Sequence, residues 1–285
     1  MTRVFQRLKI FSCMGKLSVL IIIFFIILSV FGSLLSYYPH NIPSGPPLDP
    51  PSRLHWMGTD DLGIDIWAQI CYGARISLVV GFATAFLAVG GGGLLGIYAG
   101  YYGGKIDEWI MRIIDLIMII PELPIMIVLG AFFGPSLKNI IIVLSVFSWT
   151  IPAKIVRSKI LSIKSEDYIK VAESYGAGFL YITKKHFFPQ IFSLLLVSFI
   201  KLMSKAIVAE AGLSFLGLGD PTSKSWGLML NHAMAFSGIY FTEFWKWWVL
   251  SPLICIIIIV LAVALIGKEI ESKKVRGYGE GITKG

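Results

Sequence analysis

Lys201 and Lys205 stand one helical turn apart inside an apolar run, and Glu210 follows five residues after Lys205. Ionisable side chains in hydrocarbon are costly, so they mark ion or substrate paths or pair with one another. Two chemistries fit this spacing. One is a translocation-path site that meets a charged substrate terminus. The other is a pair of lysines that snorkel, or pair with Glu210, at the outer end of a short span. Asp115, three residues after Arg112, reads as its ion-pair partner. Bond-making chemistry has no such candidates. The chain lacks GxSxG, HExxH and a Gly-rich loop followed by Lys-Ser/Thr. His40, His55, His186 and His232 share no metal-ligand spacing, and Cys13, Cys71 and Cys255 lie far apart as apolar filler. No catalytic residues and no metal are expected. The run Gly90–Gly93 reads as small residues that let helices pack closely rather than as a phosphate cradle.

A second candidate site is the basic stretch from Arg157 to Pro189. Ser165 is placed to cap a helix, with Glu166 and Asp167 in its first turn. Ile169, Ala172 and Tyr175 then fall on one narrow apolar face, and Gly176 and Gly178 break the helix. The spacing predicts a second short helix over Phe179–Phe187 that ends before Pro189. Such a pair can slot into a groove on a soluble partner. It can equally rest on lipid headgroups, which its lysines favour.

The elements that position these residues are membrane spans. The chain is 56% hydrophobic and 15% charged, whereas soluble domains carry about 25% charged residues. Six apolar segments are long enough to cross a bilayer: Leu17–Ser36, Ile76–Ala99, Ile110–Phe133, Asn139–Val156, Ile191–Val208 and Trp248–Gly267. The first is too long for a signal peptide and ends at Tyr37-Tyr38-Pro39, an interfacial signature, so it is read as an uncleaved span. Pro152 should kink the fourth. The chain therefore divides into an N-terminal segment (1–16), a first span (17–36), a 37–74 segment, a five-span core (75–267) that holds the loop 157–189, and a tail (268–285). Of the 25 Lys and Arg residues, eighteen fall on the side of both termini and of the loop 157–189, and four on the other. The positive-inside rule then makes both termini and that loop cytoplasmic. It also explains the net charge of +8 without a nucleic-acid partner. Outside the membrane lie 37–74, whose six prolines between Pro39 and Pro51 predict extended, non-helical chain, and 209–247, where Trp245, Trp247 and Trp248 read as an interfacial belt.

Four motifs, in order along nearly the whole chain, carry a family resemblance. Gly58, Thr59, Asp60, Gly63 and Asp65, followed by Arg75, resemble the approach to span two in ABC importer permeases of the dipeptide/oligopeptide/nickel group. Gly100, Asp107, Arg112 and Asp115 fit the same group between spans two and three. Ala172, Gly176, His186 and Pro189 resemble its EAA loop. Glu210, Ser214, Gly217 and Gly219, with Trp226 and Gly227, resemble its signature after span five.

The resemblance implies an all-α permease of the type I importer fold, with six transmembrane helices. It implies a second, homologous permease subunit, two cytoplasmic ATP-binding subunits and an extracytoplasmic substrate-binding protein in the cell membrane of a prokaryote. No cofactor is expected on this chain; ATP and Mg²⁺ belong to the partner ATPases, which a helix near Ala172–Gly176 would engage. Lys170 and Val171 replace the first Glu and Ala of that loop motif, and Gly267–Glu271 depart from the usual ending after span six. The alternative is an ion-coupled secondary transporter with Lys201, Lys205 and Glu210 as its relay.

Overall fold

The computed structural model describes residues 12–282, the side chains of Ser33 and of residues 273–282 excepted. Arg3, Arg7 and Lys9, and so most of the expected N-terminal segment 1–16, lie outside the described residues. Long apolar runs without water to satisfy their backbone must be helical, and they are. The elements are α1 (Cys13–Leu35), α2 (Ile66–Tyr102), α3 (Gly104–Ile119), α4 (Glu122–Phe133), α5 (Leu137–Ser148), α6 (Thr150–Lys164), α7 (Asp167–Ser174), α8 (Phe179–Ile182), α9 (Phe188–Phe215), α10 (Trp226–Ala235), α11 (Trp245–Trp248) and α12 (Leu250–Ile282). Five continuous helical stretches are long and apolar enough to cross a membrane, and α3 with α4 makes a sixth, broken one.

Three spans differ from their expected form, each at a proline. The third is not one helix: α3 and α4 meet at an 89° bend. Pro121 has no N–H and its ring forces Ile120 out of the helical region, to φ −75° and ψ 126°. The fourth breaks at Trp149, because Pro152 cannot donate to the carbonyl four residues back, that of Ser148. The helix is thus interrupted about one turn before the proline. The helix expected to end before Pro189 instead runs on into α9. A wide turn over Thr183–Phe187, in which the Phe188 N–H reaches the Thr183 carbonyl, opens the helix before the pyrrolidine ring.

The 37–65 segment is non-helical as expected, but bends and turns replace an extended chain. Of the expected aromatic belt only Trp245 is exposed. Trp248 is buried in the core and Trp247 packs beside Gly58, since a sealed cap of loops covers that end of the bundle.

Helix α2 is the central post, packed against α1, α5, α6 and α9. Its small residues set how close α6 comes. A Cβ on Gly92 would lie 2.3 Å from the Trp149 carbonyl oxygen, one on Gly96 2.6 Å from that of Ala153, and one on Gly100 2.8 Å from Ile160. Gly93 faces Leu195, whereas Gly90 and Gly91 face open space. The close-packing role read from the glycine run thus belongs to Gly92 and Gly93 and continues as a stripe every fourth residue. Gly92→Ala forces one backbone off another, and such overpacking costs about 1–3 kcal/mol. It should lower the melting temperature of the purified chain in detergent by several degrees, while Gly90→Ala should not lower it.

Candidate functional site

Within the loop 157–189, the short helix α7 is anchored by one buried residue. Ile169 on α7 packs with Ile163, Ile182 and Phe187, which fixes the short helix to the end of the bundle. Its N-cap is Glu166, not Ser165, whose hydroxyl turns back to the Ser162 carbonyl at 2.8 Å. Lys170 pairs with Asp167 at 2.9 Å in full view of solvent. The helix ends at Gly176, which adopts φ +84° while its N–H reaches the Glu173 carbonyl at 2.9 Å and the Ala177 N–H that of Ala172 at 3.0 Å. Left-handed backbone of this kind is natural to glycine and strained for other residues.

With Ile169 turned inward, the other apolar residues point out. Tyr175 is 88% exposed, and Val171, Leu180 and Tyr181 are exposed as well. Ala172, Tyr175, Gly176, Ala177 and Tyr181 line an open depression of about 300 Å³. His186 lies half-buried against the rings of Tyr168 and Tyr181. Gln190 donates to the Tyr168 hydroxyl at 2.8 Å, so α7 is tied to the span that begins at Pro189. Ala172, Gly176, His186 and Pro189 thus stand in one unit, apolar on its outer face. An ordinary solvent-facing loop has no reason to expose such a patch.

The charged residues within the spans pair differently from their sequence spacing. Lys201 binds Glu271 at 2.8 Å, and Lys205 binds Glu122 at the start of α4. Neither reaches Glu210. Asp115 pairs with Lys154 on α6 at 2.7 Å rather than with Arg112, and Asp107 takes both the Nε and a terminal nitrogen of Arg157. Long cationic side chains reach across to neighbouring helices, and one-dimensional spacing does not say which helices are neighbours.

Glu210 is fully buried and accepts the Ser214 hydroxyl at 2.7 Å and the Ser77 hydroxyl at 3.2 Å, with Ser225 also bonded to it. The three-residue relay required by an ion-coupled mechanism does not assemble. Glu210 instead clasps α2, α9 and the strand of chain before α10.

The first and last motifs meet around that clasp. Asp65 caps α2 by accepting the Ala68 N–H at 2.8 Å and holds His55 Nδ1 at 2.8 Å. Asp60 accepts the N–H groups of Leu62 and Ile64 and the Gln69 amide. Thr59 donates to the Pro46 carbonyl at 2.6 Å, and Gly58 and Gly63 turn with positive φ against the Asp49 and Gly45 carbonyls. Trp226, fully buried, donates to the Ile70 carbonyl at 3.1 Å. Gly227 lies against the Ala211 carbonyl, Gly219 against Ser214, and Gly217 turns at φ +80°. Most of these motif residues therefore build a rigid cap. Arg75 and Arg112 are exposed and reach no acidic group within 4 Å among the described residues.

The cap carries a pH response. Burial, and then Lys224, hold His40 and His232 below the ordinary histidine value of 6.5; His40 also stacks on Tyr72 at 3.8 Å. A base with a lowered folded pKa binds fewer protons in the folded than in the unfolded state, so stability falls as pH drops below about 6.5. Asp61, raised by burial and by Asp60, has the opposite sign and helps only further down, in the carboxylate range. Amide protection factors over residues 37–65, taken against the intrinsic exchange rate at each pH, should therefore fall between pH 7 and pH 5.5.

A helical bundle with five stretches long and apolar enough to cross a membrane, six if the bent pair α3–α4 is one span, and with several charges paired between helices, defines a multi-pass membrane protein. Residues 92–276 match the binding-protein-dependent transport system inner membrane component family, and the chain belongs to it. It is 38% identical over 218 residues to the dipeptide transport system permease protein DppC of Bacillus subtilis, covering 75% of this chain and 68% of that one. It is 37% identical over 266 residues to the protein of the same name from Alkalihalophilus pseudofirmus, covering 92% and 85%. With the oligopeptide transport system permease protein OppC of Bacillus subtilis it shares 34% identity over 247 residues, covering 85% and 79%.

Three features escaped the sequence reading. The Ser77–Glu210–Ser225 clasp joins residues 133 positions apart, which no local pattern reveals. Trp226 bonding to Ile70 is hidden for the same reason. Glu122 was legible: Pro121-Glu122 interrupts an apolar run, and both a helix break and a charge within the span follow from those two residues.

Proposed function

We propose that this chain is one of two membrane-spanning subunits of an ATP-driven importer of dipeptides or oligopeptides. The observation that carries this reading is the exposed apolar patch at Val171, Ala172, Tyr175 and Gly176, on a loop held rigid by Ile169, in a chain related to dipeptide and oligopeptide permeases. A cytoplasmic ATP-binding subunit receives this patch, and a second permease completes the pathway. ATP and Mg²⁺ are held by two such ATPases; this chain supplies neither an ATPase site nor a cofactor site. The excess of basic residues supports a reading in which both termini and the loop are cytoplasmic and 37–74 and 209–247 lie outside, where a substrate-binding protein docks.

The mechanism follows from the geometry. Closure of the ATPases on ATP moves α7, and its ties through Gln190 and Ile169 pass the displacement to α9 and α6. The bundle then alternates between inward- and outward-open arrangements. Reconstituted with both permeases, the ATPases and the binding protein, it should take up labelled dipeptide only with ATP. Uptake driven by an ion gradient without ATP would restore the secondary-transporter alternative.

A further inference from the structure

The elbow in the third span carries a charge pair, Glu122 with Lys205 on α9. α3 rises 16 residues from Gly104 to the bend, about 24 Å. Lys205 lies ten residues before the end of α9, about 15 Å along its axis, so the pair stands well inside the bundle's thickness. Glu122 uses one carboxylate oxygen for Lys205; its Oε1 is buried and has no hydrogen-bond partner among the described residues. The side chains are nonetheless 44% (Lys205) and 31% (Glu122) accessible. An ion pair at this depth facing lipid would be heavily penalised, so it faces protein or a water-filled path. A buried acceptor without a donor calls for one. Of the three ionisable groups in the α9 run, Lys201 is committed to Glu271 and Glu210 is enclosed by serines, which leaves Lys205 as the one that shares its partner with an open acceptor.

We propose that Glu122 and Lys205 form a contact site for the free termini of a zwitterionic peptide in transit. Separation of the intrachain pair uncovers the unpartnered Glu122 oxygen, which takes the peptide's α-ammonium while Lys205 takes its carboxylate. The 89° bend places half-buried Glu122 at a helix break, where its backbone is not part of a continuous ladder. This rests on the peptide-importer reading.

The test uses the complete transporter in proteoliposomes with its binding protein, comparing wild type, Glu122→Gln, Lys205→Met and the charge swap Glu122→Lys with Lys205→Glu. Losing one charge-assisted contact should lower ATP-driven uptake of a free dipeptide by about tenfold or more, with subunit assembly unchanged. The charge swap rebuilds the intrachain pair with the wrong polarity at each position, so it should assemble normally and still fail to restore uptake. Recovery of uptake in the swap would show a purely structural tie and overturn the proposal, as would wild-type uptake in Glu122→Gln. No ATP-driven peptide uptake by the wild-type complex would overturn the importer reading itself, and this site with it.

Discussion

Gly176→Val should abolish most ATP-driven uptake while leaving the purified chain folded, its melting temperature lowered by no more than a few degrees. Gly176 adopts φ +84°, where an ordinary residue is strained by about 1–2 kcal/mol and a β-branched one more. No atom lies within 4 Å of where its Cβ would stand, so the fault is conformational and not a clash with the bundle. Valine relieves it by moving the α7–α8 junction to negative φ, which swings Tyr175 and the patch around it. Uptake should fall by at least about tenfold, the factor matching a local penalty of about 1.4 kcal/mol, with ATP hydrolysis no longer tied to transport. Gly176→Asn, which tolerates left-handed backbone better, should lose less. The melting temperature in detergent and the ratio of peptide transported to ATP hydrolysed measure the two halves of this claim.

Glu210→Ala should have the largest effect on the fold itself. The carboxylate is fully buried and receives hydroxyls from Ser77 and Ser214, with Ser225 bonded as well. Removing it strands those donors, and each buried group left unsatisfied costs about 1–3 kcal/mol. Because they come from α2, α9 and the chain before α10, the loss opens the cap from three sides. Glu210→Ala should give little monodisperse protein, whereas Glu210→Gln, which accepts from one serine and donates to another whose hydroxyl rotates to receive it, should purify in near-normal yield and transport. A proton relay through Glu210 predicts the reverse for the glutamine, which folds but cannot titrate.

How much of this was legible follows from the range of each interaction. The helices were legible, because a span is a property of one uninterrupted stretch of chain. Gly176 and its turn were legible, since a glycine after a short amphipathic run is a local stop signal. Ile169, Ala172 and Tyr175 read as one narrow apolar face, yet Ile169 turns in among Ile163, Ile182 and Phe187 while Tyr175 is exposed, so the spacing marked the apolar residues and not the side each one faces. The pairs formed by Asp115, Lys201 and Lys205 were misread, because helices packed side by side bring together residues up to 83 positions apart. Pro152 announced its break, whereas the Pro189 ring fitted inside a continuous helix only through a wide turn that the Thr183–Phe187 sequence does not advertise.

The most direct test places a photo-crosslinking residue at position 175 of the full chain in its native membranes. Tyr175 is 88% exposed on the apolar patch, and Tyr37, 91% exposed at the far end of the bundle, is the matched control. The account predicts that position 175 captures an ATP-binding subunit and that position 37 does not. Capture of lipid alone at position 175, or of the ATPase at position 37, would contradict it.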